Sequence, residues 1–341
     1  MRIGINGFGR IGRNFAKALM ERHPEIEIAA VNDLTSAAEC AHLFKYDSNY
    51  GPFEGTVSAS GDTINATLGT SKQSFKVLAE RDPGKLPWKD LGCDVVIEST
   101  GLFTDAAKAR AHIDGGGAKK VLISAPAKGE DITIVLGVND DKYDPAAHNV
   151  ISNASCTTNC LATAVKPIVD NLGWVKGFMS TIHSYTNDQN ILDAPHKDLR
   201  RARNAATNII PTSTGAAKAL YLTIPEIKGT FDGFALRVPT PTVSMVYLVA
   251  QVKKETTKDE LNAILRKAAE GNLSEYVRYT DEELVSSDLK RSPYSSIIDA
   301  GLTNANGDLI QIGAWYDNEW GYSCRLADLT AVVLEKIPAN V

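Results

Sequence analysis

The sequence predicts an α/β protein in two parts: a doubly wound, mostly parallel sheet, then an α+β domain with a mainly antiparallel sheet. Three observations predict it. Short apolar strands alternate with helix-period segments through the first half, the pattern of a parallel sheet with crossover helices. A strand, glycine loop, helix and second strand of about 30 residues open the chain as one βαβ unit. From about residue 170 the texture changes to long strand-like runs, and 341 residues leave room for about two domains.

The first strand spans residues 2–6, where Ile3 and Ile5 alternate. The next helix follows Gly7-Phe8-Gly9-Arg10-Ile11-Gly12, with Ile11, Phe15, Ala18 and Leu19 at helical spacing and Arg13, Lys17 and Glu21 opposite. Pro24 ends it, and residues 27–32 form the second strand, closed by Asp33. Residues 56–78 read as short antiparallel strands with Gly and Asp turns. Residues 94–99, 120–124 and 132–136 read as strands, with Thr104 capping a helix over 105–112.

In the second part, long strands are expected over 175–185, 231–239, 242–253 and 309–315, partly joined by turns such as Pro239-Thr240-Pro241. A helix over 319–336 places Tyr322, Leu326, Leu329, Val332 and Val333 on its apolar positions. The expected domains are 1–155, with the C-terminal segment 319–341 packing back on it, and 156–318.

Composition excludes several function classes. With 36 Lys and Arg against 41 Asp and Glu, the formal net charge is −5, which argues against general nucleic-acid binding. At 43% hydrophobic residues, wholesale disorder is excluded. No apolar run approaches the ~18 residues of a membrane span. The first strand begins at once, so no signal or transit peptide is expected. The odd count of five cysteines, Cys40, Cys93, Cys156, Cys160 and Cys324, is no disulfide framework and fits a reducing, cytoplasmic location. No His, Cys or acid spacing matches a zinc site, so no metal is expected.

The glycine motif has the context it requires: a strand before it, a helix after it and an acid at the end of the next strand. That makes the first sheet Rossmann-type. Gly7 permits the tight turn, Gly9 lets a pyrophosphate approach the backbone, and Gly12 lets helix and strand pack closely. The pyrophosphate would meet the helix N-terminus. Asp33, 21 residues after Gly12, would hydrogen-bond ribose hydroxyls and repel a 2′-phosphate, favouring NAD over NADP.

Ser152-Asn153-Ala154-Ser155-Cys156-Thr157-Thr158-Asn159-Cys160 leads from a polar turn into a helix with its apolar stripe at Leu161, Val165, Ile168 and Leu172. Cys156 falls at the helix start, where the dipole and N–H groups favour a thiolate and lower its pKa. Cys160, one turn later, reads as a core thiol. Pro167 should kink or shorten this helix. A thiol nucleophile needs a base, and of the six histidines His183 is the most suggestive, at a strand end where polar residues begin.

These blocks, with Asp198-Leu199-Arg200-Arg201-Ala202-Arg203, Thr214-Gly215-Ala216-Ala217-Lys218, Arg237-Val238-Pro239 and Trp315-Tyr316-Asp317-Asn318-Glu319-Trp320-Gly321-Tyr322, are similar to one family along essentially the full length. The chain resembles the phosphorylating glyceraldehyde-3-phosphate dehydrogenases. The resemblance implies NAD-dependent oxidation of D-glyceraldehyde 3-phosphate, in glycolysis or gluconeogenesis. Cys156 attacks the aldehyde, His183 acts as base, a thiohemiacetal becomes a thioester, and inorganic phosphate releases 1,3-bisphosphoglycerate.

It further implies a cofactor site from Gly7, Phe8, Gly9, Arg10, Ile11, Gly12, Asp33, Thr100, Ser124, Asn318 and Tyr322. Thr186, Asp188 and Arg237 match the substrate-phosphate site; Ser155, Thr157, Thr214 and Gly215 match the attacking-phosphate site. In strict period-two geometry His183 and Thr186 face opposite ways, so the strand must end or twist between them. The irregular, charged stretch 188–213 resembles a loop at a subunit interface, implying a homotetramer. Ala194 resembles relatives that accept NADP, whereas Pro195 and Asp33 favour NAD. The alternatives are an erythrose-4-phosphate dehydrogenase, whose segments around Thr186 and Thr214-Gly215 tend to differ, and a non-enzymatic NAD-binding or RNA-binding protein.

Overall fold

The computed structural model describes residues 1–337. The described chain divides into two compact units: residues 1–134, 142–154 and 323 onward, and residues 135–141 and 155–322.

The first unit holds β1 (Arg2–Asn6), α1 (Arg10–Arg22), β2 (Glu27–Asn32) and α2 (Ala37–Lys45), then a two-residue hairpin, β3 (Tyr46–Asp47) and β4 (Gly51–Pro52). The antiparallel β5 (Thr56–Ser60), β6 (Thr63–Leu68) and β7 (Ser71–Leu78) follow, then β8 (Val95–Glu98), the short α3 (Ala106–Ala109) and α4 (Ala111–Asp114), β9 (Lys120–Ile123), β10 (Ile132–Thr133) and β11 (Val150–Ser152). Nine strands form one sheet in the order β10-β11-β9-β8-β1-β2-β7-β6-β5. From β10 to β7 every pairing is parallel, and the run turns antiparallel at β7–β6. Val95, Val96 and Ile97 are all buried, as are Val121 and Leu122. Such continuous burial, without alternation, is what a sheet covered on both faces requires. The α1 helix buries Phe15, Ala16, Ala18, Leu19 and Met20.

This unit departs from the sequence expectation at two places. The helix cap near residue 105 is Asp105, whose carboxylate accepts from Ala107 N, and not Thr104; the helical stretch then breaks into two single turns at Arg110. The strand expected over 132–136 stops at Thr133.

The second unit begins its own structure with α5 (Cys156–Leu172). It continues through β12 (Trp174–Ser184), β13 (Ile210–Ser213), α6 (Ala216–Thr223), β14 (Phe231–Val238), β15 (Ser244–Val252), α7 (Lys258–Glu270), β16 (Val277–Thr280), β17 (Ser296–Asn306) and β18 (Leu309–Tyr316). Its seven-stranded sheet runs β13-β14-β12-β15-β18-β17-β16. Four of its six pairings are antiparallel; β12–β14 and β16–β17 are parallel. The Pro239-Thr240-Pro241 segment is therefore no hairpin turn: β14 and β15 lie on opposite sides of β12. The long β17 was not expected from sequence. Its register slips between Asp299 and Asn304, which breaks the period-two pattern. Residues 210–213, expected to be loop, add an edge strand to β14.

Pro167 does not shorten α5, which runs unbroken to Leu172. The helix α8 (Trp320–Glu335) starts in the second unit and counts with the first from Ser323 onward. The part of the expected 319–341 segment beyond residue 337 lies outside the described residues.

Candidate active site

In the first unit the glycine loop is shaped by sterics. Gly7 has φ +94°, and a Cβ there would lie 2.7 Å from Thr100 N. A Cβ on Gly12 would meet Gly7 O at 2.1 Å, so helix and strand approach this closely only with glycine. Above Gly9 a Cβ would meet nothing within 4 Å, and Gly9 is the N-cap of α1 with no side-chain cap. The loop thus presents a helix N-terminus beneath open space, which fits a pyrophosphate. Asp33 follows β2; its Oδ2 accepts from Phe8 N at 3.0 Å and its Oδ1 from Thr35 N at 3.2 Å. Arg10 pairs with Asp47 at 3.2 Å, and Ile11 is half-buried in the first turn of α1. Thr100 N and Oγ1 both donate to Glu98, and Ser124 N donates to Glu98 O at 2.9 Å.

In the second unit the chemistry gathers at the start of α5. Ser155 is the N-cap, its Oγ accepting from Thr158 N at 2.9 Å, which leaves Cys156 as the first helical residue. Cys156 is the only one of the five cysteines that keeps partial exposure; the other four are buried. Its Sγ lies 3.6 Å from His183 Nε2. His183 stands on β12 directly across the parallel ladder from Arg237 on β14. Arg237 Nη1 is 2.7 Å from His183 Nδ1 and donates to Ser184 O at 3.1 Å; Nδ1 is also 2.7 Å from Ser184 O. A guanidinium only donates, so the two Nδ1 contacts are alternatives. With Nδ1–H on Ser184 O, Nε2 faces the thiol with a lone pair.

Burial and the neighbouring Arg237 guanidinium push His183 down to about 3, so its imidazole is neutral at neutral pH. The lowered Cys156 pKa expected from its helix position is not what the structure gives. Burial raises it, outweighing the pull of Arg237 and of the hydrogen bonds from Thr157 and the Cys156 backbone. The resting pair is a thiol beside a neutral imidazole.

The comparisons with known proteins decide the family. Residues 155–318 match the domain described as "Glyceraldehyde 3-phosphate dehydrogenase, C-terminal domain", and residues 1–106 match "Glyceraldehyde 3-phosphate dehydrogenase, NAD binding domain". The chain is 58% identical over 334 residues to glyceraldehyde-3-phosphate dehydrogenase 2 of Streptomyces avermitilis, 98% of each chain being covered. It is 58% identical to the Streptomyces coelicolor enzyme of that name and 56% identical to that of Mycolicibacterium smegmatis, again with 98% of each chain covered. The chain belongs to the glyceraldehyde-3-phosphate dehydrogenase family. It carries the family's NAD-binding domain and its C-terminal domain.

The remaining residues that the family resemblance singles out are placed as follows. Thr157 Oγ1 is 2.8 Å from the hydroxyl of Tyr316, which also lies 2.9 Å from Thr181 Oγ1. β12 ends at Ser184, so Thr186 lies beyond the strand and its N donates to Gln189 Oε1 at 3.2 Å. Asp188 is ion-paired with Arg201. Thr214 Oγ1 accepts from Ala216 N at 3.2 Å, and Gly215 is the N-cap of α6, with open space where a Cβ would stand. Asn318 Oδ1 accepts from Ser244 Oγ at 2.9 Å, and Tyr322 is buried in α8. Direct contacts therefore join Cys156, His183 and Arg237, whereas Asp188 turns to Arg201.

Sequence reasoning assigned no role to Tyr316. Its ring meets His183 edge-on, with centroids 6.0 Å apart, and its hydroxyl ties α5 to β12. The available signal was its place at the end of β18, where Ile310, Ile312, Ala314 and Tyr316 point inward at period two. Val243 was also missed. This β-branched residue is held at φ +68°, and its carbonyl accepts from Ser184 Oγ at 2.9 Å, which steadies the residue after His183.

Proposed function

We propose that the chain oxidises D-glyceraldehyde 3-phosphate to 1,3-bisphosphoglycerate with NAD and inorganic phosphate. The observation that carries this is the Cys156 thiol at the first position of α5, 3.6 Å from a neutral His183 whose far side meets Arg237. Cys156 Sγ attacks the aldehyde carbon while its proton passes to His183 Nε2. The proton then moves to the new alkoxide, giving a hemithioacetal. The Cys156 backbone N–H, without an intrahelical partner, is the oxyanion donor. His183 next accepts the hydroxyl proton as the carbon is oxidised to a thioester. Bound NAD supplies the hydride acceptor. Inorganic phosphate attacks the thioester carbonyl and the Cys156 thiolate leaves, giving the acyl phosphate.

Arg237 suits the substrate phosphate as a forked donor, with Thr186 and Asp188 on the following loop. Ser155, Thr157, Thr214 and Gly215 are assigned to the attacking phosphate. Gly7, Phe8, Gly9, Arg10, Ile11, Gly12, Asp33, Thr100, Ser124, Asn318 and Tyr322 are assigned to NAD, with the Asp33 carboxylate favouring it over NADP.

The test is an initial-rate assay with glyceraldehyde 3-phosphate and NAD or NADP, with and without inorganic phosphate. Phosphate-dependent NADH formation ending in an acyl phosphate is expected. Phosphate-independent formation of the free acid would overturn the proposal in favour of an erythrose-4-phosphate dehydrogenase type of hydrolysis.

Arg237→Leu checks the substrate phosphate separately. A hydrogen bond to a charged group contributes about 1.5–3 kcal/mol, so KM for the phosphorylated aldehyde should rise roughly 10- to 100-fold. KM for unphosphorylated glyceraldehyde should change by less than about threefold, because its loss comes only through Cys156 and His183. Equal losses would remove Arg237 from the phosphate site.

A homotetramer in the cytoplasm completes the proposal. Its support is the apolar surface of the 188–213 segment, where Ile191 is 74% and Leu199 82% exposed. Such side chains are expected to be covered by further copies of the chain. Among the described residues no helix is long and apolar enough to cross a membrane.

A further inference from the structure

Beneath the glycine loop lies a buried polar cluster that the chemistry above does not use. Glu98 ends β8 and is 2% exposed. Its carboxylate accepts from two donors on each oxygen. Asn6 Nδ2 (2.6 Å) and His112 Nε2 (2.9 Å) meet Oε2; Thr100 N (2.8 Å) and Thr100 Oγ1 meet Oε1. The direction of the histidine bond is fixed from behind. Trp88 Nε1–H, which can only donate, points at His112 Nδ1 at 2.9 Å, so Nε2 carries the proton. Trp88 and His112 are both fully buried.

Asn6 extends the order sideways. Its Oδ1 accepts from Asn32 Nδ2 at 2.7 Å, and the Asn32 amide is closed by Glu80 N and Glu80 O, each at 2.8 Å. Asn6, Asn32 and Glu98 are the last residues of β1, β2 and β8, three adjacent parallel strands. Each exit leads into a segment assigned to the cofactor: Gly7–Gly12 after Asn6, Asp33 after Asn32, and Thr100 two residues after Glu98. The loops also touch directly, since Ser99 Oγ donates to Gly7 O at 2.6 Å.

Only an acceptor-only group satisfies this arrangement. A carboxylate offers lone pairs to all four donors, whereas an amide would set its own N–H groups against two of them. An apolar residue would leave all four donors without this acceptor, those of Asn6 and His112 buried. We propose that Glu98 is a positioning residue of the cofactor site. Through Asn6 and Thr100 it sets the geometry of the glycine loop and the two neighbouring strand exits, with His112 and Trp88 as its anchor. The inference rests on the assignment of that loop to NAD.

The test is calorimetric titration of NAD into the full chain, beside thermal unfolding and the iodoacetamide alkylation rate of Cys156. Glu98→Gln should raise the NAD Kd at least about tenfold, through two mismatched hydrogen bonds, and His112→Phe, which removes one donor, about three- to tenfold. Val121→Ala, in the apolar core of the same sheet, is the control. It should lower Tm while moving Kd less than about twofold, because it removes packing and no loop contact. Alkylation should stay within about twofold in all three, since the Cys156 surroundings are unaltered. Should Glu98→Gln fail to fold, His112→Phe carries the test alone. Variants with the wild-type Kd, or a control that weakens NAD binding as much as they do, would overturn the inference alone. A wild-type chain without NAD affinity would overturn the cofactor assignment and this inference with it.

Discussion

Cys156→Ser should abolish aldehyde oxidation, lowering kcat/KM by at least about 10⁴-fold, and leave the NAD Kd within about twofold. The size of the loss follows from the geometry. A neutral imidazole 3.6 Å from the side chain can take a proton from a thiol as it attacks, but a serine hydroxyl is a far weaker acid and nucleophile. An oxygen ester would also surrender the activation of the thioester. The same variant should abolish rapid alkylation of the native chain. Acidity does not select Cys156, because burial raises the other four thiols too, Cys93 and Cys324 to about 12. Selection comes from access and from the base: Cys156 alone is partly exposed, and it alone lies beside His183. Mass spectrometry of iodoacetamide-treated protein should find one modified cysteine per chain. Undiminished turnover in the serine variant, or rapid alkylation at another cysteine, would remove Cys156 from the nucleophile's role.

The parts of this site that were legible in the sequence are those set by local backbone physics. Gly7 and Gly12 announce themselves because no side chain fits where strand, turn and helix converge, and the structure places a Gly12 Cβ 2.1 Å from Gly7 O. Ser155 and Cys156 were legible because a cap residue before an apolar stripe marks a helix start. The illegible parts depend on long-range register. His183 faces Arg237 because β14 pairs in parallel with β12, across 54 residues of sequence, and nothing local in either strand announces that partner. Tyr316 reaches Thr157 from 159 residues away. The thiol acidity was misjudged for a related reason: the helix terminus is a local feature, whereas the desolvation that outweighs it is a property of the folded site that no local pattern carries. Glu98 was not singled out from the sequence at all, because its donors Asn6 and His112 come from separate crossover units.

His183→Asn should lower kcat about 10²- to 10⁴-fold, the usual contribution of a positioned general base. Its pH signature separates a base from a packing residue. In the folded chain burial and Arg237 hold the imidazole near 3, against an ordinary value of 6.5, so it stays neutral through the physiological range. The Cys156 thiol lies above its ordinary value of 9.0. Wild-type alkylation should therefore climb with pH through the neutral and alkaline range, with no inflection near 6.5 from His183. The variant should be slower throughout with the same slope.

Stability supplies an independent check with a definite sign. Between pH 6.5 and about 3 the unfolded chain binds a proton at His183 that the folded chain refuses. The contribution of the neutral histidine is thus fully present above 6.5 and is lost as pH falls toward 3. Asparagine cannot titrate, so the variant's urea midpoint should decline less steeply than wild type between about pH 7 and pH 5. Equal slopes would mean that folding leaves the proton affinity of His183 unchanged, and a shallower wild-type decline would mean that folded His183 already carries its proton. The resting state would then be a thiolate–imidazolium ion pair, and the proton transfer from Cys156 would precede substrate binding.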